Sequence, residues 1–472
     1  MRVIAVDQGT TGTKSYVLDG DGGFRRAAGF EHRQIYPQPG WVEHDASELL
    51  GHVSAAIAAA GAAQAIGIDN QGETVVAWDA ATGEAIHNAI VWQDARTSVA
   101  IERLKADGGE ELTLQRAGLP LDPYFSAAKL RWFIDNVPDA KPLLAKGRLR
   151  LATSDAFFLD RLAGVFATDV TTASRTSLMN LDTFQWDPEL CRLFGVPMEC
   201  LPEIRPTTGP FGSIAGIPVT ASLVDQQAAL FGHGCSAAGD AKITVGTGAF
   251  ALAVAGPRRL DGSRFGILPT LAWKIGGNLP DFAFDGGVYN AGSAVNWAKG
   301  IGLFSEFSEI NEFAGTPAIE RGLAFVPALS GLGCPHWDRA AGGLWIGLGL
   351  DTTRADMMQS LLEGIALRAA EVVKAMNELV PLAPVISVDG GMARNDYFVR
   401  FLANALGRAI AVPAITDLTA LGTARMAMRG AGASDLPPLP PPSRRIVADA
   451  PLGDIAQARF GAAVARARAW RV

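Results

Sequence analysis

The amino-acid sequence predicts an α/β protein built from two similar halves that offer their turns to a shared cleft. Three observations lead there. At 472 residues the chain is too long for one compact core. Short apolar runs alternate with helical patterns, as in sheets covered by helices. Finally, an apolar strand, a small hydroxylated turn and a second apolar strand occur at Val3 to Leu18 and again at Lys242 to Val254. The repeat is one of pattern and not of residue identity.

Taken in order, Val3 to Val6 suits a buried strand and Lys14 to Leu18 its hairpin partner. Between them stands Asp7-Gln8-Gly9-Thr10-Thr11-Gly12-Thr13. Two glycines let backbone N–H groups converge on an anion, the threonines add hydroxyls and Lys14 adds a cation. On these residues alone the turn is either a phosphate site or an ordinary tight β-turn. A proline-punctuated loop follows, in which Asp45 or Ser47 is placed to cap a helix through 55–61. Ala65 to Asp69, Thr74 to Asp79 and Ala89 to Trp92 read as strands, and Asn70 to Thr74 put polar groups at a strand's carboxyl end. An aromatic pair, Tyr124 and Phe125, precedes another helix.

In the second half Val385 to Asp389 is a strand running into a small-residue turn. Met357, Leu361, Ile365, Val372 and Met376 mark an apolar face on a helix over 356–379, with a capping box from Thr353 to Asp356. Its methionines read as core filling. The proline-rich segment 436–442 reads as a plain connector to a last amphipathic helix, Ile455 to Trp470.

Composition narrows the function. Apolar residues make up 49% and charged residues 19%, with a net charge of -7 and no dense basic run. That balance speaks against nucleic-acid and anionic-membrane partners. Cys191, Cys200, Cys235 and Cys334 lack metal or disulfide spacing, and the chain enters its first strand without a signal-peptide pattern. A cytoplasmic protein is expected. The six histidines show no metal-ligand spacing.

Several stretches, in the same order, resemble the glycerol kinases of the FGGY carbohydrate kinase family. They are DQGTTGTK at the start, Pro39 to Asp45, Asn88 to Thr97, Asp122 to Trp132, Thr171 to Asn180, Asp225 to Gly232, Val245 to Phe250, Val388 to Asp396 and Thr419 to Ala424. The resemblance implies two actin-like (ribonuclease H-like) domains flanking a cleft for ATP and a small polyol. It divides the chain into 1–233, with polyol site, first phosphate loop and catalytic base, and 234–472, for nucleotide binding. It implies a kinase that phosphorylates a terminal hydroxyl, with Mg²⁺ as cofactor and dimers or tetramers as assemblies.

Residue by residue, the resemblance makes Asp225 the catalytic base, a position whose plainer reading is a helix cap. Glu73, Tyr124 and Gln226 correspond to residues holding polyol hydroxyls, and Trp92 and Phe250 to its apolar wall, where core packing is the plain alternative. Thr10, Thr11, Gly12 and Lys14 match the first phosphate turn and Gly246 with Thr247 the second. Gly292 and Asn296 match a helix whose start approaches the phosphates and ribose. Gly391 and Asn395 match the adenine side, and Asp7 is assigned to Mg²⁺ through water.

One departure bears on the substrate. Glycerol kinases carry arginine where this chain has Gly72, so a donor is lost and space is opened at the polyol site. Glycerol is the expected substrate, and a four- or five-carbon polyol or ketose (erythritol, erythrulose, xylulose or ribulose) is the alternative. An actin-like nucleotide-dependent scaffold is the non-enzyme reading; it has no need of Asp225, Tyr124, Trp92 and Glu73 together.

Overall fold

The computed structural model describes residues 1–471, and its two larger sheets share one strand logic. In the first, Val3–Gln8 pairs antiparallel with Gly12–Leu18, and that strand with Phe24–Glu31. On the other side Ala65–Asn70 lies parallel to Val3–Gln8, followed by Ile217–Val224, also parallel. In the second, Ala241–Val245 pairs antiparallel with Ala249–Gly256, followed by Asp281–Val288. Its parallel neighbours are Val385–Asp389 and then Ala409–Val412. The pattern repeat read in the sequence is therefore a repeat of topology. A parallel strand flanked on both sides and covered on both faces is buried along its length, as all of Ala65–Asn70 is, with polar Asp69 and Asn70 at its carboxyl end.

Register then places the chemistry. Asp7 lies beside Asp69 on the neighbouring parallel strand and opposite Lys14 on the hairpin partner. In the second sheet Thr244 lies beside Asp389 in the corresponding place. All of these sit at the strand ends where α/β sheets take ligands.

Two helices are shared between the sheets. One core cluster joins Val3, Ala5 and Tyr16 of the first sheet to Leu252, Val254 and Ala283 of the second. Leu230 and Phe231 of helix Asp225–Gly232, with Leu421, Ala424 and Ala427 of helix Leu418–Gly430, fill the space between. Leu418–Gly430 belongs to the later half of the chain yet packs on the first sheet. The helices nearly touch, because a Cβ on Gly422 would lie 1.8 Å from the Ala228 carbonyl oxygen and one on Gly232 1.9 Å from that of Leu418.

The outer face of the first sheet is covered by Ala46–Ala60, whose Leu49, Val53 and Ile57 meet Ile4, Val6 and Val17. Asp45 caps it, accepting from the N–H groups of Ser47 and Glu48 at 2.8 and 3.2 Å. The capping box at Thr353 and Asp356 opens Arg354–Asn377 as expected. That helix is more deeply set than one apolar face implies. Gln359, Glu363, Gly364 and Arg368 are buried as well, while Met357 is only half-buried.

Three expectations need correction. The strand at Ala89 to Trp92 shrinks to Ala89–Ile90, because the Trp92 N–H donates to the Thr74 hydroxyl. The last helix, Asp454–Ala467, ends before Trp470 because Asp338 accepts from the Ala469 N–H and pairs with Arg468. The proline-rich connector is not free, since Leu436 and Leu439 pack against the core between the sheets, and Arg444–Ile446 then extends the second sheet. Among the described residues no helix is long and apolar enough to cross a membrane.

The close helix contact is testable. Gly422→Ala should destabilise the protein by about 1–3 kcal/mol through overpacking, lowering the thermal midpoint by several degrees. An unchanged melt would contradict the shared, touching helices.

Candidate active site

The two hydroxylated turns are built alike. The Gly9 N–H donates to the Gly12 carbonyl at 3.0 Å, and the Gly246 N–H to that of Gly248 at 2.9 Å. Thr11, Gly246 and Thr247 are exposed, and Lys14 reaches from Asp7 toward Asp417, with Nζ 3.7 Å from its carboxylate. The Trp92 indole N–H donates to the Thr10 hydroxyl at 2.9 Å. That bond ties the first turn to the expected polyol wall.

The helix Gly292–Gly300 does reach the second turn, but its first N–H groups are already used. Those of Ala291 and Ser293 donate to the Thr247 carbonyl and that of Gly292 to Gly246, at 2.9 to 3.0 Å. A Cβ at Gly292 would stand 2.5 Å from the Gly246 oxygen, so the glycine serves this close approach and not a free anion site. Asn296 lies exposed one turn further on. Asn395 accepts from the Phe398 N–H at 2.7 Å, capping Asp396–Leu406, and donates to the Ile310 carbonyl at 2.7 Å. Its side chain is structural, and on that side the exposed Gly391 and the backbone are left for a ligand.

Trp92, Tyr124 and Phe250 line a cavity of about 520 Å³ together with Arg175, Asp285 and Arg339. The Trp92 and Tyr124 rings meet edge to face, with centroids 5.6 Å apart. Beneath them Lys129 is fully buried and donates to the carbonyls of Tyr124 and Glu73 at 2.5 and 3.4 Å. Burial lowers its ammonium to about 8.

Sequence reasoning missed Arg175, although it lies within the motif at Thr171 to Asn180. Its Nε donates to Glu73 at 2.7 Å and its Nη2 pairs with Asp285 at 3.0 Å, while Nη1 is buried without a partner. Burial works against its charge, but Glu73, Asp285 and Tyr124 hold the guanidinium firmly ionised. Its stem also passes Gly72. A Cβ there would lie 3.9 Å from Arg175 Cγ and 3.1 Å from Val224 Cγ1. The space expected at Gly72 is thus partly filled from elsewhere in the chain.

Asp225 is the first residue of its helix, following strand Ile217–Val224; Val224 occupies the cap position, so the capping reading fails. Burial, then the charges of Glu73 and Asp7, push its carboxyl up to about 7, against the Gln226 N–H and Lys242. Lys242 was also missed. It is buried, and its Nζ donates to Gln226 Oε1 at 2.8 Å and to the Thr244 hydroxyl at 3.0 Å. Asp7 and Asp69 stand side by side, and burial raises both. Asp69 accepts from the Thr423 hydroxyl at 2.6 Å through Oδ2, while its buried Oδ1 has no partner. Carboxylate oxygens short of both donors and cations make a donor set suited to a hard divalent ion such as Mg²⁺.

A pH prediction follows from Asp225. A carboxyl raised from 3.8 to about 7 binds its proton more tightly in the folded state, so stability falls as pH rises from about 4 to 7. In Mg²⁺-free buffer at pH 8, Asp225→Asn should melt several degrees above the parent protein. An equal or lower midpoint would contradict the desolvated, like-charged setting.

Family models for the "FGGY family of carbohydrate kinases" match the chain, the N-terminal domain over residues 2–232 and the C-terminal domain over 241–431. Glycerol kinase of Koribacter versatilis (strain Ellin345) is 41% identical over 444 residues, covering 90% of this chain and 89% of that protein. Glycerol kinase of Thermus brockianus is 42% identical over 455 residues, 93% and 92% of the two chains. Among solved structures, Plasmodium falciparum glycerol kinase with ADP superposes with a TM-score of 0.90 at 29% identity, covering 99% of this chain and 98% of that one. A xylulose kinase from Lactobacillus acidophilus, at 21% identity and TM-score 0.86, covers 98% and 96% and shares the fold.

Proposed function

This chain belongs to the FGGY family of carbohydrate kinases, and from that premise we propose that it is a cytoplasmic enzyme transferring the γ-phosphoryl group of ATP to a terminal hydroxyl of glycerol. The observation that carries this reading is Asp225, a half-buried carboxyl pushed up to about 7 by desolvation and by the charges of Glu73 and Asp7, in a site where Trp92 joins the polyol wall to the phosphate turn. The glycerol kinases of similar sequence support the substrate, and four unpaired, buried cysteines fit a reducing compartment.

The residues divide the work. Trp92 and Phe250 pack against the carbon chain, and Glu73, held by Arg175, accepts from a hydroxyl. Lys242 occupies the Gln226 carbonyl oxygen, which leaves the amide N–H groups to donate. Asp225 takes the proton of the attacking hydroxyl, with a pKa near the working pH that suits a general base. The turns at Thr10 to Gly12 and at Gly246 and Thr247, with Lys14, hold the phosphates, and positioning with charge neutralisation does the rest. Mg²⁺, held by Asp7 with Asp69 and Asp225 nearby, supplies positive charge to the phosphates when bound.

A second reading is favoured by one observation. The cavity of about 520 Å³ corresponds to roughly 17 water volumes at about 30 Å³ each, against the six heavy atoms of glycerol. That volume leaves room for a four- or five-carbon polyol or ketose.

Two variants test these readings. Asp225→Asn should lower kcat for glycerol phosphorylation at least about a hundredfold while a fluorescent ATP analogue still binds; retained turnover would remove Asp225 as the base. Gly72→Arg should raise kcat/KM for glycerol over that for erythritol by about tenfold or more, the worth of a regained buried donor. An unchanged ratio would mean that Arg175 already supplies that donor.

A further inference from the structure

Outside the cleft, His32, Glu48 and His52 come together behind the opening hairpin, with one ligating atom from each within 4.8 Å of the others. Glu48 and His52 stand four residues apart on the helix Ala46–Ala60 and so share a face. His32 directly follows the strand Phe24–Glu31. The two histidines face each other through Nδ1 at 3.0 Å, with nearly parallel rings. His32 Nε2 meets the Thr13 hydroxyl at 3.1 Å. With Nε2–H donated there, Nδ1 is left bare for a second partner, the outer support that metal-ligating histidines use. Burial, together with His44 and His52, drops His32 to about 4, so its ring is neutral, and neutral imidazole is the form that ligates.

We propose that His32, His52 and Glu48 bind one divalent transition-metal ion of the zinc class, at a site separate from nucleotide and polyol. Two imidazoles and a carboxylate suit zinc and its neighbours, whereas Mg²⁺ prefers oxygen throughout. Two nitrogens each about 2.0–2.1 Å from a tetrahedral ion lie roughly 3.3 Å apart, so the existing pair needs to open by only tenths of an ångström. His52 then carries its proton on Nε2 and turns Nδ1 to the ion. Glu48 exchanges Arg33, which donates to it from its N–H at 2.9 Å and its Nε at 2.8 Å; that side chain is 75% exposed, so the exchange costs little. Water completes the shell.

The placement has a consequence for the cleft. The His32 N–H donates to the Thr11 carbonyl at 3.0 Å, and its ring bears on Thr13, so an ion on His32 braces the first phosphate turn from behind.

The test uses the full chain, stripped with a chelator and held in a large excess of Mg²⁺ to occupy the cleft carboxylates. It is then mixed with ZnCl₂, desalted, analysed for metal and melted. One zinc ion retained per chain, with a raised midpoint, is expected. His52→Ala and Glu48→Gln should each weaken zinc binding at least tenfold while melting near the parent when zinc is absent. No zinc on the parent chain would overturn the proposal. So would variants that melt normally and retain as much zinc as the parent, since the ion would then sit elsewhere.

Discussion

A shortage of positive charge among buried and half-buried carboxylates governs this cleft. Asp7, Asp69 and Asp225 converge from strand ends of the first sheet, Glu73 from the loop after one of them, and Asp285 and Asp389 from the second. Arg175 holds Glu73 and Asp285, Lys242 works among Asp225, Asp285 and Asp389, and Lys14 stands by Asp7. Burial still pushes Asp7, Asp69 and Asp225 upward. Such an arrangement is costly for an idle protein and well suited to one whose partners bring cation and phosphate together.

The packing that imposes this shortage also ties the two halves. Leu418–Gly430 lies against the first sheet, meets Asp225–Gly232 through Gly422 and Gly232, and sends Thr423 to the Asp69 carboxylate. These shared helices pack on both sheets at once.

Much of this was legible in the sequence for local reasons. The hairpins, the capped helix after Asp45 and the capping box at Thr353 follow from short-range rules of turns and caps. Asp225, Glu73, Tyr124 and Trp92 were named through motif resemblance, and the structure gathers them about one cleft. What stayed hidden depends on partners far apart in the chain. Arg175 meets Glu73 across 102 residues, and no periodicity announces that contact. Asn395 was read as nucleotide-facing, yet its amide is taken up by a helix cap and by Ile310. His32, Glu48 and His52 show no metal-ligand spacing in the sequence, and they come together only once the strand Phe24–Glu31 has folded back beside the helix Ala46–Ala60.

Delivery of the γ-phosphoryl group of ATP to a small polyol is the reaction this cleft is built for. It is tested most directly by coupled ADP release with the purified chain and MgATP across glycerol, erythritol, erythrulose, dihydroxyacetone, xylulose and ribulose. Saturable release with the highest kcat/KM for glycerol is predicted. A pentulose preferred over glycerol would contradict the substrate assignment, and ADP release indifferent to every acceptor would contradict the kinase itself.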